Sequence, residues 1–125
     1  MIFSYLNDQP IVPLELQTKN NEWIEFHVYI DSGAGYSIFQ ANHAKILGIR
    51  LESGRKISFT VGTGAKLTAY VHRLPVKFAG KQFFAQIAFA KDLGIRMNLL
   101  GIASFFENFS ICFHHAKKQV EVYPL

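Results

Sequence analysis

A chain of 125 residues, half of them hydrophobic and 18% charged, supports one packed domain spanning 1–125, leaves no room for a second, and lacks the composition of a disordered chain. The formal charge is +4 at pH 7, but the thirteen Lys and Arg are scattered, with only Arg55-Lys56 and Lys117-Lys118 adjacent; a nucleic-acid partner would call for a basic cluster, so none is expected. The lone cysteine, Cys112, excludes an intramolecular disulfide and predicts a reducing, cytoplasmic setting.

No apolar run approaches the ~18 residues of a membrane span. Met1 to Asn7 lacks the basic leader and long apolar stretch of a signal peptide, so neither a leader nor a membrane partner is expected. In chain order, Ile11 to Leu16 reads as a strand and Lys19-Asn20-Asn21 as the turn after it. Trp23 to Ile30 reads as a second strand, with Ile24, Phe26, Val28 and Ile30 on one face and Glu25, His27 and Tyr29 on the other. Ala41 to Leu47 has the length of two helical turns, with Gly48 as its stop. Ile57–Val61 and Leu67–Val71 flank a hairpin tip at Gly62-Thr63-Gly64. A further hairpin turns at Ala79-Gly80, with Leu74, Val76 and Phe78 alternating before it and Phe83, Ala85, Ile87 and Phe89 after it. Ile102 to Phe106 predicts a short helix after Gly101. Phe109–Phe113 and Gln119–Tyr123 predict a last strand pair, joined through His114 to Lys118. Many short strands with closely spaced turns predict an all-β domain, closed or sandwich-like, with one or two short helices. Twelve Phe suit a packed β core, or such a core plus a buried interface.

The chemistry concentrates in Val28-Tyr29-Ile30-Asp31-Ser32-Gly33-Ala34. An apolar strand runs directly into a carboxylate, whose desolvation is costly unless its charge is managed. Ser32 can hydrogen-bond across a tight junction, and Gly33 allows a sharp turn and the close approach of a ligand. A polar strand-to-turn junction in any β protein would share these residues. About seventy positions later, Asn98-Leu99-Leu100-Gly101 sets two bulky apolar residues and a glycine before the short helix.

Together, an apolar strand into Asp-Ser-Gly-Ala, a glycine-containing hairpin, an apolar pair with glycine before a short helix, and a terminal strand pair resemble the retropepsin-like aspartic proteases. The motifs occur in the family's order over roughly Leu14 to Val122. The resemblance implies a small closed β-barrel that works as a homodimer, each subunit giving one Asp to a shared site on the two-fold axis. It assigns Asp31 as the catalytic acid, Ser32 as the hydroxyl that locks the two active-site loops together, and Gly33 as the residue that shapes the loop. Ala34 and Gly35 would border the substrate, the hairpin tip Gly62, Thr63, Gly64 and Ala65 would be a flap over it, and Asn98, Leu99, Leu100 and Gly101 would pack beside the Asp loop. The implied activity is that of an aspartic endopeptidase acting on peptide or protein substrates, with water activated between two Asp31 carboxylates and no metal or cofactor. The alternative is a dimer that keeps the fold and the peptide groove but has little or no catalysis, serving as a peptide-binding or assembly module.

One departure stands out. Viral members often pair an acid two residues after the motif glycine with an Arg after the second glycine; here those positions hold Gly35 and Ile102, so both partners are missing together and no orphan charge remains. Other motifs carry little. Gly62-Thr63-Gly64-Ala65-Lys66-Leu67 begins like a dinucleotide fingerprint but lacks its last glycine and the strand–helix context. Cys112, His114 and His115 invite a thiol or metal reading, yet the spacing does not assemble four ligands, and Cys112 reads as a small packed residue on the last strand pair. His27, His43 and His72 read as surface or cap residues. Tyr36 and Phe39 read equally as pocket walls or core aromatics.

Overall fold

The computed structural model describes residues 1–60 and 63–125. Among the described residues there are ten strands: β1 (Ile2–Ser4), β2 (Ile11–Gln17), β3 (Trp23–Ile30), β4 (Ser37–Gln40), β5 (Arg55–Thr60), β6 (Lys66–Phe78), β7 (Lys81–Ala90), β8 (Asn98–Leu100), β9 (Phe109–His114) and β10 (Gln119–Pro124). One α-helical turn, α1 (Asn42–Ile46), follows β4. It ends where expected: Gly48 takes φ +74° and its N–H caps the Lys45 carbonyl. The turn Ile102–Phe106 is wide and broken in its middle, with Ala103 extended and Ser104 left-handed, so the short helix expected there is not regular. None of the described helices is long and apolar enough to cross a membrane.

Six strands form a closed barrel. The order β2-β3-β8-β4-β7-β6 returns to β2 through a short β2–β6 pairing, and β5 continues outward from β6. The β2–β3 hairpin turns where Thr18 Oγ1 accepts the amides of Asn20 and Glu22. The β6–β7 hairpin turns on Ala79 and Gly80, both at positive φ, the geometry of a two-residue turn matched to strand twist. Outside the barrel, β1, β10 and β9 form a three-stranded antiparallel sheet.

The long strand β6 combines two segments that look separate in the sequence. Leu67, Ala69 and Val71 enter a small cluster with Ile38, Ala88 and Ala90, whereas Leu74, Val76 and Phe78 enter the main core. The phase of burial therefore switches at His72-Arg73 because odd positions face one core and even positions the other. β7 does the same, with Ala85, Ile87 and Phe89 in the main core and Ala88 and Ala90 in the small one.

Of the three histidines expected as surface or cap residues, His27 is exposed and two lie at the core edge. His72 Nε2 is 2.9 Å from the Leu51 carbonyl, and its ring meets Phe89 edge-on. His43 packs against Phe26 and Phe39, and burial lowers its pKa below the usual histidine value. Cys112 faces outward from β9 and is exposed in the single chain, not packed as expected.

Phe78 joins barrel to terminal sheet. Its ring stacks on Phe3 at 6.2 Å and meets Phe105 and Phe109 edge-on at 5.5 and 5.2 Å. Phe78→Ala is expected to cost about 3–5 kcal/mol in urea unfolding. A change below about 1 kcal/mol would show that these rings are not the link between the two units.

Candidate active site

β3 and β4 follow one another in sequence but are not neighbours in the sheet. β8 lies between them, parallel to β3 through Val28↔Asn98, Tyr29↔Leu99 and Ile30↔Leu100, and antiparallel to β4 at Ile38↔Leu99. The connection 31–36 must therefore pass over the end of β8, which brings the Asp-Ser-Gly segment onto Leu100 and Gly101.

Backbone hydrogen bonds fasten this crossing. The Asp31 amide donates to the Leu100 carbonyl at 2.9 Å, Ile102 N–H to the Ala34 carbonyl at 2.8 Å, and Ala103 N–H to the Gly35 carbonyl at 2.9 Å. Gly101 N–H donates to Ser37 Oγ at 2.9 Å, a hydroxyl with no solvent exposure. Gly35 and Ile102, which carry no acid–Arg pair, each take part in one of these main-chain bonds, with Ala103 and Ala34 as partners. Gly101 is dictated by space: a Cβ there would run into the Tyr36 carbonyl and lie 2.6 Å from the Ala34 oxygen. Asn98, also buried, accepts the Gln40 amide at 3.0 Å and ties β8 to the far end of β4.

Within the loop, Asp31 Oδ1 accepts the Gly33 amide at 2.9 Å, and Ala34 N–H donates to the Asp31 carbonyl at 3.2 Å. This compact turn fixes one carboxylate oxygen and presents the group at the surface. A Cβ on Gly33 would sit 3.2 Å from that same oxygen, whereas one on Gly35 would meet nothing within 4 Å. Ser32, Gly33 and Gly35 are exposed, and Asp31 and Ala34 half-buried.

An open hollow of about 660 Å³ adjoins the loop, lined by Asp31, Gly33, Ala34, Gly35, Tyr36 and Ile38 on one side and Ile57 to Thr60 of β5 on the other. Of the expected hairpin-tip residues, Gly62 lies outside the described residues. Thr63, Gly64 and Ala65 complete the β5–β6 connection, with Gly64 at φ +85°, and are not among the residues lining the hollow. No local residue pattern marks Ile57 to Thr60 as a wall or Ser37 as a buried acceptor; of the two aromatics with open roles, Tyr36 lines the hollow and Phe39 is core.

No protein-family model matches the sequence, and no curated protein does. Solved structures do. A retropepsin-like aspartic protease from Rickettsia conorii superposes with a TM-score of 0.68 at 23% identity, over 98% of this chain and 97% of its own. EIAV protease, solved with the inhibitor HBY-793, gives 0.54 at 23% identity over 77% and 84%. The fold is retropepsin-like.

Three substitutions separate the constraints on the crossing. Gly101→Ala should cost about 3 kcal/mol or more, because backbone must move. Ser37→Ala should cost about 1–3 kcal/mol by leaving the Gly101 amide buried without an acceptor. Gly35→Ala should change stability by no more than about 1 kcal/mol. Urea melts of the three are the check; equal costs at Gly101 and Gly35 would remove the close-approach argument.

Proposed function

We propose that this chain is an aspartic endopeptidase that works as a homodimer, in which the Asp31 carboxylates of two subunits activate one water molecule. The observation that carries the reading is the Asp31 turn itself, a carboxylate with one oxygen held by the Gly33 amide at 2.9 Å, at the mouth of an open hollow in a retropepsin-like fold. One chain supplies one such group. Asp8 lies in the turn closed by the Leu6–Gln9 bridge and Asp92 in the connection from β7 to β8, and neither lines the hollow.

The chemistry follows from two carboxylates brought close together. Both cannot ionise cheaply, so they share a proton. The ionised group takes a proton from the water as its oxygen attacks the peptide carbonyl. The neutral group donates its proton to the carbonyl oxygen, and the tetrahedral intermediate then collapses with protonation of the leaving nitrogen. This is the division of labour general to aspartic proteases, and it requires no covalent intermediate. Ser32, exposed beside Asp31, would lock the loops of the two subunits together. Ala34 and Gly35 would border the substrate, and the tip 62–65 would act as a flap. Asn98 to Gly101 would hold each loop in place. The lone cysteine supports a reducing, cytoplasmic setting, and extended peptides are the substrate class.

Two measurements test this. Asp31→Asn keeps the shape of the carboxylate but cannot accept the proton, so cleavage of an unbiased peptide library should fall at least about 100-fold while the protein stays folded. Cleavage that survives would remove Asp31 from the chemistry, and a wild type that binds peptides without cleaving them would favour the peptide-binding module. Analytical ultracentrifugation at about tens of micromolar should show a dimer, since an interface of about 1,200–2,000 Å² holds there. A monomer that nonetheless cleaves peptides would rule out the shared site.

A further inference from the structure

At the edge of the hollow, Tyr36 from the Asp31 side and Arg55 from β5 form a pair of polar groups that the chemistry above does not use. Tyr36 leaves the Asp loop and lines the hollow, and Arg55 opens β5 just outside it. Arg55 Nη2 donates to Tyr36 Oη at 3.0 Å, and the guanidinium carbon stands 6.0 Å from the centre of the Tyr36 ring. Among the described residues the ion pairs join Glu25 to His27, Glu52 to Lys91 and Glu121 to His114, so none of their carboxylates lies within 4.0 Å of Arg55. Glu52, in the turn before β5, is drawn toward Lys91 at 3.5 Å.

The hydrogen-bond inventory of this pair is one-sided. A guanidinium has five N–H donors and no acceptor, and one of the five is spent on Tyr36. The tyrosine oxygen, having accepted from Arg55, retains its own O–H to donate. Among the described residues that hydroxyl makes no other hydrogen bond. The rim therefore offers donors only, beside an apolar wall of Ile38, Ile57 and Phe59. A side chain with an aliphatic stem and a terminal acceptor pair matches both parts. Glutamate has that form. Glutamine places an NH₂ where a donor already stands, and lysine places a charge of the wrong sign there.

Resting on the reading of the site as a peptidase, we propose that Tyr36 and Arg55 form a selectivity rim that favours substrates carrying a glutamate, or the shorter aspartate, at the position packing against this wall. A charge-assisted contact at an exposed rim corresponds to a preference of about ten-fold over the neutral amide. The net charge of +4 adds a weaker, salt-screened attraction for acidic peptides in general. Raising the salt should lower that general attraction more than the Glu-over-Gln preference.

The test uses an apolar, extended peptide in which Glu or Gln is placed at each position in turn. Two quantities are read: kcat/KM with the wild type, and affinity by fluorescence anisotropy with Asp31→Asn, which binds without turnover. At one position Glu should exceed Gln by about ten-fold. Arg55→Ala should bring the ratio close to one, Arg55→Glu should favour Lys, and Tyr36→Phe should lower the ratio while keeping the aromatic wall. Ratios taken within one preparation cancel any loss of folded protein. A wild type that shows no Glu–Gln difference at any position, or a ratio untouched by Arg55→Ala, overturns the rim while leaving the peptidase reading in place. If the wild type cleaves nothing, the peptidase reading fails, and the affinity ratios still decide the rim.

Discussion

The peptide of Gly101 passes beneath the carbonyls of Ala34 and Tyr36, and the geometry of the Asp31 loop depends on that crossing. With β8 lodged between β3 and β4, the loop has to bridge a strand it is not sequentially joined to. The bridge is short, so the approach is close enough to exclude a Cβ at Gly101, and the bonds that fasten it are main chain to main chain or main chain to a buried hydroxyl. Such bonds do not depend on pH or on long flexible side chains. An exposed acid–Arg pair would contribute only a modest, salt-sensitive amount at the same place. The loop can therefore present a half-buried carboxylate without an ion pair to brace it.

Two cores hold this crossing in place. The main core fills the barrel and reaches the terminal sheet through Phe78, Phe83, Phe105 and Phe109. The smaller cluster of Ile38, Leu67, Ala69, Val71, Ala88 and Ala90, with Tyr36, Ile57 and Phe59 against it, lies under the hollow. Its alanines lie on the paired strands β6 and β7, and Tyr36, Ile57 and Phe59 reach the hollow's wall. β4 serves both sides, with Phe39 in the main core and Ile38 in the smaller one. The floor of the candidate site is thus continuous with the packing that positions Asp31, so the site's shape and the fold's stability are coupled.

The elements that escaped the sequence reading share a physical reason. β4 is four residues long and buried on both faces, so Ser37, Ile38 and Phe39 show no alternation to detect. β1 has three residues and exists only because β10 pairs with it. β6 looked like two strands because its burial changes phase where it passes between cores. Cys112 and His72 lie other than expected for a related reason: alternation along a strand tells which residues share a face, but not whether that face is covered. His43 and His72 are covered by Phe26, Phe39 and Phe89, which are distant in sequence. Cys112 faces away from the core that takes Val120 and Val122 of the paired strand.

Short-range stereochemistry controls the features that were legible in the residues alone: the β2–β3 hairpin with Trp23–Ile30 at its observed bounds, the Ala79-Gly80 turn, the stop at Gly48, the last strand pair, and Asp31-Ser32-Gly33 at the end of an apolar strand. Each depends on neighbours a few residues away, through φ, side-chain period or a turn's hydrogen bonds. The order of the motifs also made the retropepsin-like closed barrel readable from the chain. Folding in three dimensions was needed to establish that β8 inserts between β3 and β4, that Ser37 and the Gly35 carbonyl accept the amides of Gly101 and Ala103, and that Arg55 reaches Tyr36 across nineteen positions. Those contacts form between segments brought together by burial of apolar surface, a force that has magnitude but no direction, so local residue patterns do not specify which distant partners it will join.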